Sequence, residues 1–207
     1  MKAGDSITYA TGSASTNGWR LAVTQALLAR RAVMPVGSDR TASTAFGDLM
    51  TGGTGQESDE ILALLAVDIP LYRPDLLIVI AGTNDSNHRT APSGTPPTQA
   101  ETVANISAIL TLAQSYGVRV VLGCPLTPNT VGAYDTAIQA QDTAILAMVA
   151  AHPWYLAGYV ALADLRAAIQ SVPSWAAAAM DDATHPNDTG YAAMAVAISA
   201  AALTVIS

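Results

Sequence analysis

Ser6 stands in Gly4-Asp5-Ser6-Ile7-Thr8, and the chain offers it a base far away, in Asp182-Ala183-Thr184-His185. A serine hydroxyl is a weak nucleophile until a neighbouring base takes its proton. Imidazole suits that task near neutral pH, provided an acceptor on the other ring nitrogen sets its tautomer. Asp182 and His185 are three residues apart, which lets carboxylate reach imidazole in a turn or a first helical turn. The assignment is Ser6 as nucleophile, His185 as base and Asp182 as orienter. The chemistry is then acyl transfer, which also needs hydrogen-bond donors where an oxyanion develops. Three donors suggest themselves: the Ser6 N–H, the Asn84 side-chain amide in Gly82-Thr83-Asn84-Asp85, and a glycine N–H from Gly52-Gly53-Thr54-Gly55, for which Gly55 is chosen. His88 and Arg89 follow on the next loop, and Trp175 precedes Asp182; these three are candidate substrate contacts, the indole as a stacking face for a sugar ring. Asp5 and Asp85 read as structural acids that bond nearby backbone amides.

These residues need elements to hold them, and the apolar pattern alternates strand and helix. Asn17–Arg31 has helical spacing, Ala32–Val36 reads as a short strand, and the polar, glycine-rich Gly37–Gly55 as a loop. Glu57–Val67 reads as a helix with acids in its first turn, where the helix dipole favours them. Asp75–Ala81 is the clearest strand: Leu76-Leu77-Ile78-Val79-Ile80 is continuously apolar, as suits a strand buried on both faces. Ser86–Pro97 reads as a loop, Thr98–Tyr116 as a helix, Val118–Leu122 as a strand, Ala133–Ala151 as a helix and Tyr159–Leu162 as a strand. A last helix, Asn187–Val205, is capped by Asn187 or Asp188. Strand and helix in alternation imply a parallel sheet covered on both faces, with ligands bound outside the carboxyl ends of the strands. Ser6, Gly55 and Asn84 all follow strand-like runs, so the order of elements gathers them on one edge.

Composition narrows the possibilities. The 207 residues are 51% hydrophobic, enough for a sizeable core in a single domain spanning 1–207. A net charge of −7 argues against nucleic acid as a partner. The single cysteine, Cys124, has no intramolecular partner and reads as a small buried hydrophobe. The three histidines lack ligand spacing, so no zinc site or other metal is expected. The glycine cluster has no following lysine, which sets aside a phosphate loop, and no Gly-x-Ser-x-Gly elbow occurs. The apolar run Tyr191–Ile206 is short and alanine-rich for a membrane span and reads as a docked core helix. No secretory leader is read ahead of Gly4.

The blocks, in their order, resemble the SGNH (GDSL-type) serine hydrolases. Gly4–Thr8 is similar to the first family block, with Ser6 as its serine; Gly82–Asp85 to the block that carries the asparagine; and Asp182–His185 to the last, followed by Pro186-Asn187 and Gly190-Tyr191 as in many members. Gly52–Ile61, with Gly18-Trp19-Arg20 and Val36-Gly37-Ser38, resembles the carbohydrate acetylesterase branch, carbohydrate esterase family three. That alignment puts the oxyanion glycine at Gly55. Gly53 stands where the branch commonly has histidine, and Gln56 where it commonly has an aromatic residue. The resemblance covers essentially the whole chain. It implies a three-layer α/β/α sandwich on a five-stranded, flavodoxin-like parallel sheet, and catalysis without metal or cofactor. It implies a small ester or acetylated carbohydrate as substrate and an extracellular place of work. Two other readings use the same residues: a general lipolytic esterase or thioesterase, and a non-catalytic glycan-binding module.

Overall fold

The computed structural model describes residues 1–30, 32–40, 49–86 and 95–206. In chain order, strand β1 (Lys2–Gly4) leads into the one-turn helix α1 (Ser6–Tyr9) and helix α2 (Arg20–Leu28). Strands β2 (Asp39–Arg40) and β3 (Leu49–Gly52) precede helix α3 (Ser58–Tyr72). Strand β4 (Leu76–Ile80) feeds the short helix α4 (Thr83–Ser86) and the long α5 (Gln99–Ser115). Strand β5 (Arg119–Gly123) is followed by α6 (Gly132–Ala151) and α7 (Pro153–Leu156). Strand β6 (Val160–Ala163), α8 (Leu165–Gln170), α9 (Trp175–Ala178) and α10 (Asp188–Val205) complete the order.

The sheet runs β2-β3-β1-β4-β5-β6. Among the described residues, five strands of this sheet are parallel and the two-residue β2 pairs antiparallel, along the edge of β3. The parallel order is that of flavodoxin-like sheets, whose switch point lies between the first strand and the neighbour that opens the other half. Here those strands are β1 and β4, registered Ala3 to Val79 and Gly4 to Ile80. Ser6 follows one and Asn84 the other.

Each central strand sends alternate side chains to opposite cores, as a period of two requires. Leu77, Val79, Val120 and Leu122 pack with α3, α5 and α6. Ile78, Ile80 and Val121 pack with α2, α8 and α10. This burial on both faces is why β4 and β5 are unbroken apolar runs. Helix α10 buries Tyr191, Met194, Ala195, Ile198, Ala202 and Val205, a stripe at helical spacing. By length and composition alone α10 passes as a membrane span, but this stripe lies in the core of the domain.

One expectation fails. Ala32–Val36 forms no strand; the parallel strand beside β1 is β3, inside the stretch read as loop. Pro35 has no N–H to give a ladder. β3 is four residues, Leu-Met-Thr-Gly, whose Met50 and Thr51, on opposite faces, are both fully buried where the strand lies beside β1 and α3. Tertiary pairing makes that strand, and no local periodicity announces it. Helix α3 also runs further than its sequence pattern suggested, through Pro70 to Tyr72.

Candidate active site

Ser6 opens α1 immediately after β1. Asp5 caps that helix, its Oδ1 accepting the Ile7 N–H at 2.9 Å. The approach depends on Gly4: its φ is +151°, and a Cβ there would run into Ile80 O and Thr8 Oγ1. Strand, glycine and capped turn together hold the Ser6 hydroxyl at the carboxyl edge of the sheet, with its own N–H at a helix N-terminus that lacks intrahelical acceptors.

From the other end of the chain, His185 arrives on a tight excursion between α9 and α10. The antiparallel bridge Met180–Pro186 closes its base. Asn187 then caps α10, accepting from the N–H groups of Thr189 and Gly190. Ser6 Oγ lies 2.8 Å from His185 Nε2, and His185 Nδ1 lies 2.7 Å from Asp182 Oδ2. With the Nδ1 proton donated to Asp182, Nε2 accepts the Ser6 O–H. Asp182 Oδ1 accepts the N–H groups of Thr184 and His185, each at 2.7 Å. Burial works against the Asp182 charge, but the His185 ring and these backbone donors outweigh it and hold the carboxyl below its ordinary pKa. The sequence therefore brought together three residues separated by up to 179 positions.

The turn after β4 places Asn84, 1% exposed, with its Nδ2 donating to Gln56 O at 2.7 Å. That bond ties α4 to the loop that carries Gly55. Gly55 follows β3, with φ +80° and open space where a Cβ would project. Gly52, its competitor, is the last residue of β3 and packs on Gly4 O. Asp85 locks the same two loops together: it accepts the Ser58 N–H at 3.1 Å, the Ser58 hydroxyl at 2.5 Å and the Thr102 hydroxyl at 2.8 Å. Ser6, Gly55 and Asn84 thus follow three adjacent strands, β1, β3 and β4, and open onto one edge.

Trp175 heads α9 and is partly taken up by the core. His88 and Arg89 lie outside the described residues. Cys124, just beyond β5, is buried; burial first, then the Asp142 carboxylate, push its thiol pKa up, away from nucleophilic use. A cavity of about 360 Å³, lined by Met1, Leu27, Met34, Tyr72 and Leu76, opens at the opposite, amino-terminal edge of the strands and shares no residue with Ser6, Asn84 or His185.

Several holding residues escaped the sequence reading. Gln141 of α6 reaches back to donate to Gly82 O at 2.8 Å and accepts from Ser86 Oγ at 2.7 Å, clamping the Asn84 turn. Tyr191 donates to Thr11 O at 2.7 Å, and buried Arg20 donates to the carbonyls of Thr8 and Thr16. The partners of Gln141 and Tyr191 are far away in sequence, and only Tyr191 and Arg20 stood in a block that the resemblance marked.

The model of the GDSL-like lipase/acylhydrolase family matches residues 3–193. The chain belongs to that family. As a GDSL-type, or SGNH, hydrolase it is an esterase, and its α/β architecture is that of solved relatives. A carbohydrate esterase family 3 protein from Talaromyces cellulolyticus is 22% identical, with a TM-score of 0.71 over 100% of this chain and 96% of the other. An acetylxylan esterase from Geobacillus stearothermophilus, solved as a catalytic mutant, is 17% identical, with a TM-score of 0.69 over 95% and 90%. LAE5, an α/β hydrolase enzyme from the metagenome of Lake Arreo, is 18% identical, with a TM-score of 0.71 over 100% and 95%. At these identities the likeness is one of fold. No curated protein matches this GDSL-type hydrolase by sequence.

Proposed function

We propose that the chain removes short acyl groups, acetyl above all, from carbohydrate through an acyl-Ser6 intermediate. The observation that carries the reading is the continuous line from Ser6 Oγ to His185 Nε2 (2.8 Å) and from His185 Nδ1 to Asp182 Oδ2 (2.7 Å). In this reading His185 takes the Ser6 proton as Oγ attacks the ester carbonyl. The Ser6 N–H, the Gly55 N–H and the Asn84 carboxamide hold the oxyanion. His185 then protonates the leaving alcohol. Water, activated by the same imidazole, hydrolyses acyl-Ser6 and frees the acid. Asp182 stays anionic throughout and keeps the tautomer. The part of Trp175 not claimed by the core offers a sugar its stacking face, and His88 and Arg89 complete the substrate contacts. We take 1–207 as a single SGNH hydrolase domain.

Acetylated carbohydrate is favoured because the structural relatives include acetyl and acetylxylan esterases along essentially their whole length. The test is a series of p-nitrophenyl acetate, butyrate and octanoate, followed by acetylated xylo-oligosaccharides. A steep fall in kcat/KM with chain length and release of acetate from the oligosaccharide support the reading. Flat or rising values would point to a general lipolytic esterase. Glycan binding without turnover of any ester would point to a binding module.

A further inference from the structure

Asp182 sits in an unusual place for a residue that must hold an imidazole still: its side chain is 52% exposed, whereas that of His185 is 6% exposed. Burial does not fix the carboxylate. The two N–H groups that Asp182 accepts shape the turn from within, and leave open what holds the turn as a body against Ser6. The answer on this face lies in the segment between β5 and α6. Asn129 Nδ2 donates to Thr184 Oγ1 at 3.0 Å, and the Thr130 N–H donates to Ala183 O at 2.9 Å. Thr184 and Ala183 are the two residues between Asp182 and His185.

Asn129 is itself immobilised. It is 4% exposed. Its Oδ1 accepts the Val131 N–H at 2.8 Å, which can only donate, so the amide orientation is settled and Nδ2 must face Thr184. The Asn129 N–H donates to Asp135 Oδ1 at 2.9 Å. Asp135 is in turn anchored by Arg166 Nη1 of α8 at 2.8 Å and by Gln139 Nε2 at 2.7 Å. A rigid arm thus runs from α8 and the start of α6 to the outside of the histidine turn.

We propose that Asn129 is a positioning residue of this hydrolase: through its bond to Thr184 it holds the Asp182–His185 turn where the imidazole meets Ser6. This rests on the triad reading above. Asn129 touches none of the reacting atoms; it acts on the distance between Nε2 and Oγ. Displacing a catalytic group by about 1 Å from a remote change costs about 10²-fold.

The test uses p-nitrophenyl acetate with Asn129→Ala, Thr184→Val, their double variant and Thr184→Ser, beside Ser6→Ala. Asn129→Ala and Thr184→Val each lower kcat by about 10–100-fold with KM changed less than about twofold, since the ester site is untouched. The double variant is no slower than the slower single one, because both delete the same bond. Thr184→Ser, which keeps the oxygen, restores most of the rate. Should Asn129→Ala fail to fold, the Val and Ser variants at 184 still decide. Single variants within twofold of wild-type kcat, losses that multiply in the double variant, or a Thr184→Ser enzyme as slow as Thr184→Val overturn the proposal while a dead Ser6→Ala leaves the triad standing. Full turnover by Ser6→Ala overturns the triad reading and the proposal with it.

Discussion

The carboxylate of Asp85 lies in a residue 3% exposed and takes three hydrogen bonds, from the Ser58 N–H and hydroxyl and the Thr102 hydroxyl. That of Asp182 lies half in solvent and also takes three, from the N–H of Thr184 and the N–H and ring of His185. The balance between burial and bonding comes out with opposite sign. At Asp85 burial wins over the Ser58 and Thr102 donors and the pKa is raised; at Asp182 the donors win over burial and it is lowered. The first acid is a tie between elements, holding α4 and the Gly55 loop in one body. The second is held in its charged form, which suits the proposed role of partner to a developing imidazolium. A buried tie is costly to break and reaches the reaction only through the turn it holds; an exposed anion is cheaper to remove structurally and acts directly on the imidazole.

That contrast can be broken most violently at the base. His185→Ala is expected to lower kcat for p-nitrophenyl acetate by about 10⁴-fold or more, with folding unchanged by circular dichroism. Asp182→Ala should lose about 10²–10⁴-fold in kcat while its urea midpoint moves less than that of Asp85→Ala, because the side chain lies half in solvent; a large loss of stability with modest loss of rate would erase the distinction between the acids. Asn84→Ala should cost about 10²–10³-fold in kcat, read at saturating ester. Asp85→Ala should do the reverse of Asp182→Ala: it strands the Ser58 and Thr102 donors and costs about 1–3 kcal/mol of stability in urea unfolding. Its rate loss should follow the loosening of the Asn84 turn and not exceed that of Asn84→Ala.

The smallest effect sharpens the comparison by pH. Glu57, fully buried beside Asp85 at the head of α3, has its pKa pushed up to about 7 by burial first and then by the charges of Asp85, Asp59 and Glu60. A raised carboxyl contributes stability that is full below its unfolded value, about 4.3, and is lost as pH rises through the folded value near 7. Asp182, being lowered, runs the other way: its contribution is present above the unfolded value and is lost as pH falls through the folded one. Calorimetry should therefore show wild type losing stability between pH 4.5 and 8 relative to Glu57→Gln, with the variant higher in Tm at pH 8. Parallel curves for the two proteins would contradict the raised pKa of Glu57.

The groups proposed to react could be singled out in the sequence because each is chemically distinctive and sits in a short block: Ser6 after β1, Asn84 after β4, the Asp182–His185 pair before α10. The sheet was readable where burial on both faces makes a strand apolar throughout, as in β4 and β5. It was not readable at β3, where four residues become a strand only through pairing with β1. The supporting polar residues were hidden for a related reason. Asn129, Gln141 and Thr102 are ordinary polar residues until folding puts Thr184, Gly82 and Asp85 beside them, 55, 59 and 17 positions away. Their roles belong to contacts across the fold, which spacing along a chain does not encode.

The central claim is that Ser6 is acylated with His185 as its base. Rapid quenching of the enzyme during turnover of p-nitrophenyl acetate, followed by peptide mass mapping, tests it most directly. An acetyl group on the peptide containing Ser6, absent from Ser6→Ala along with nearly all turnover, is the expected result. Turnover by Ser6→Ala at the wild-type rate, or an acetyl group trapped on another residue and not on Ser6, would contradict it.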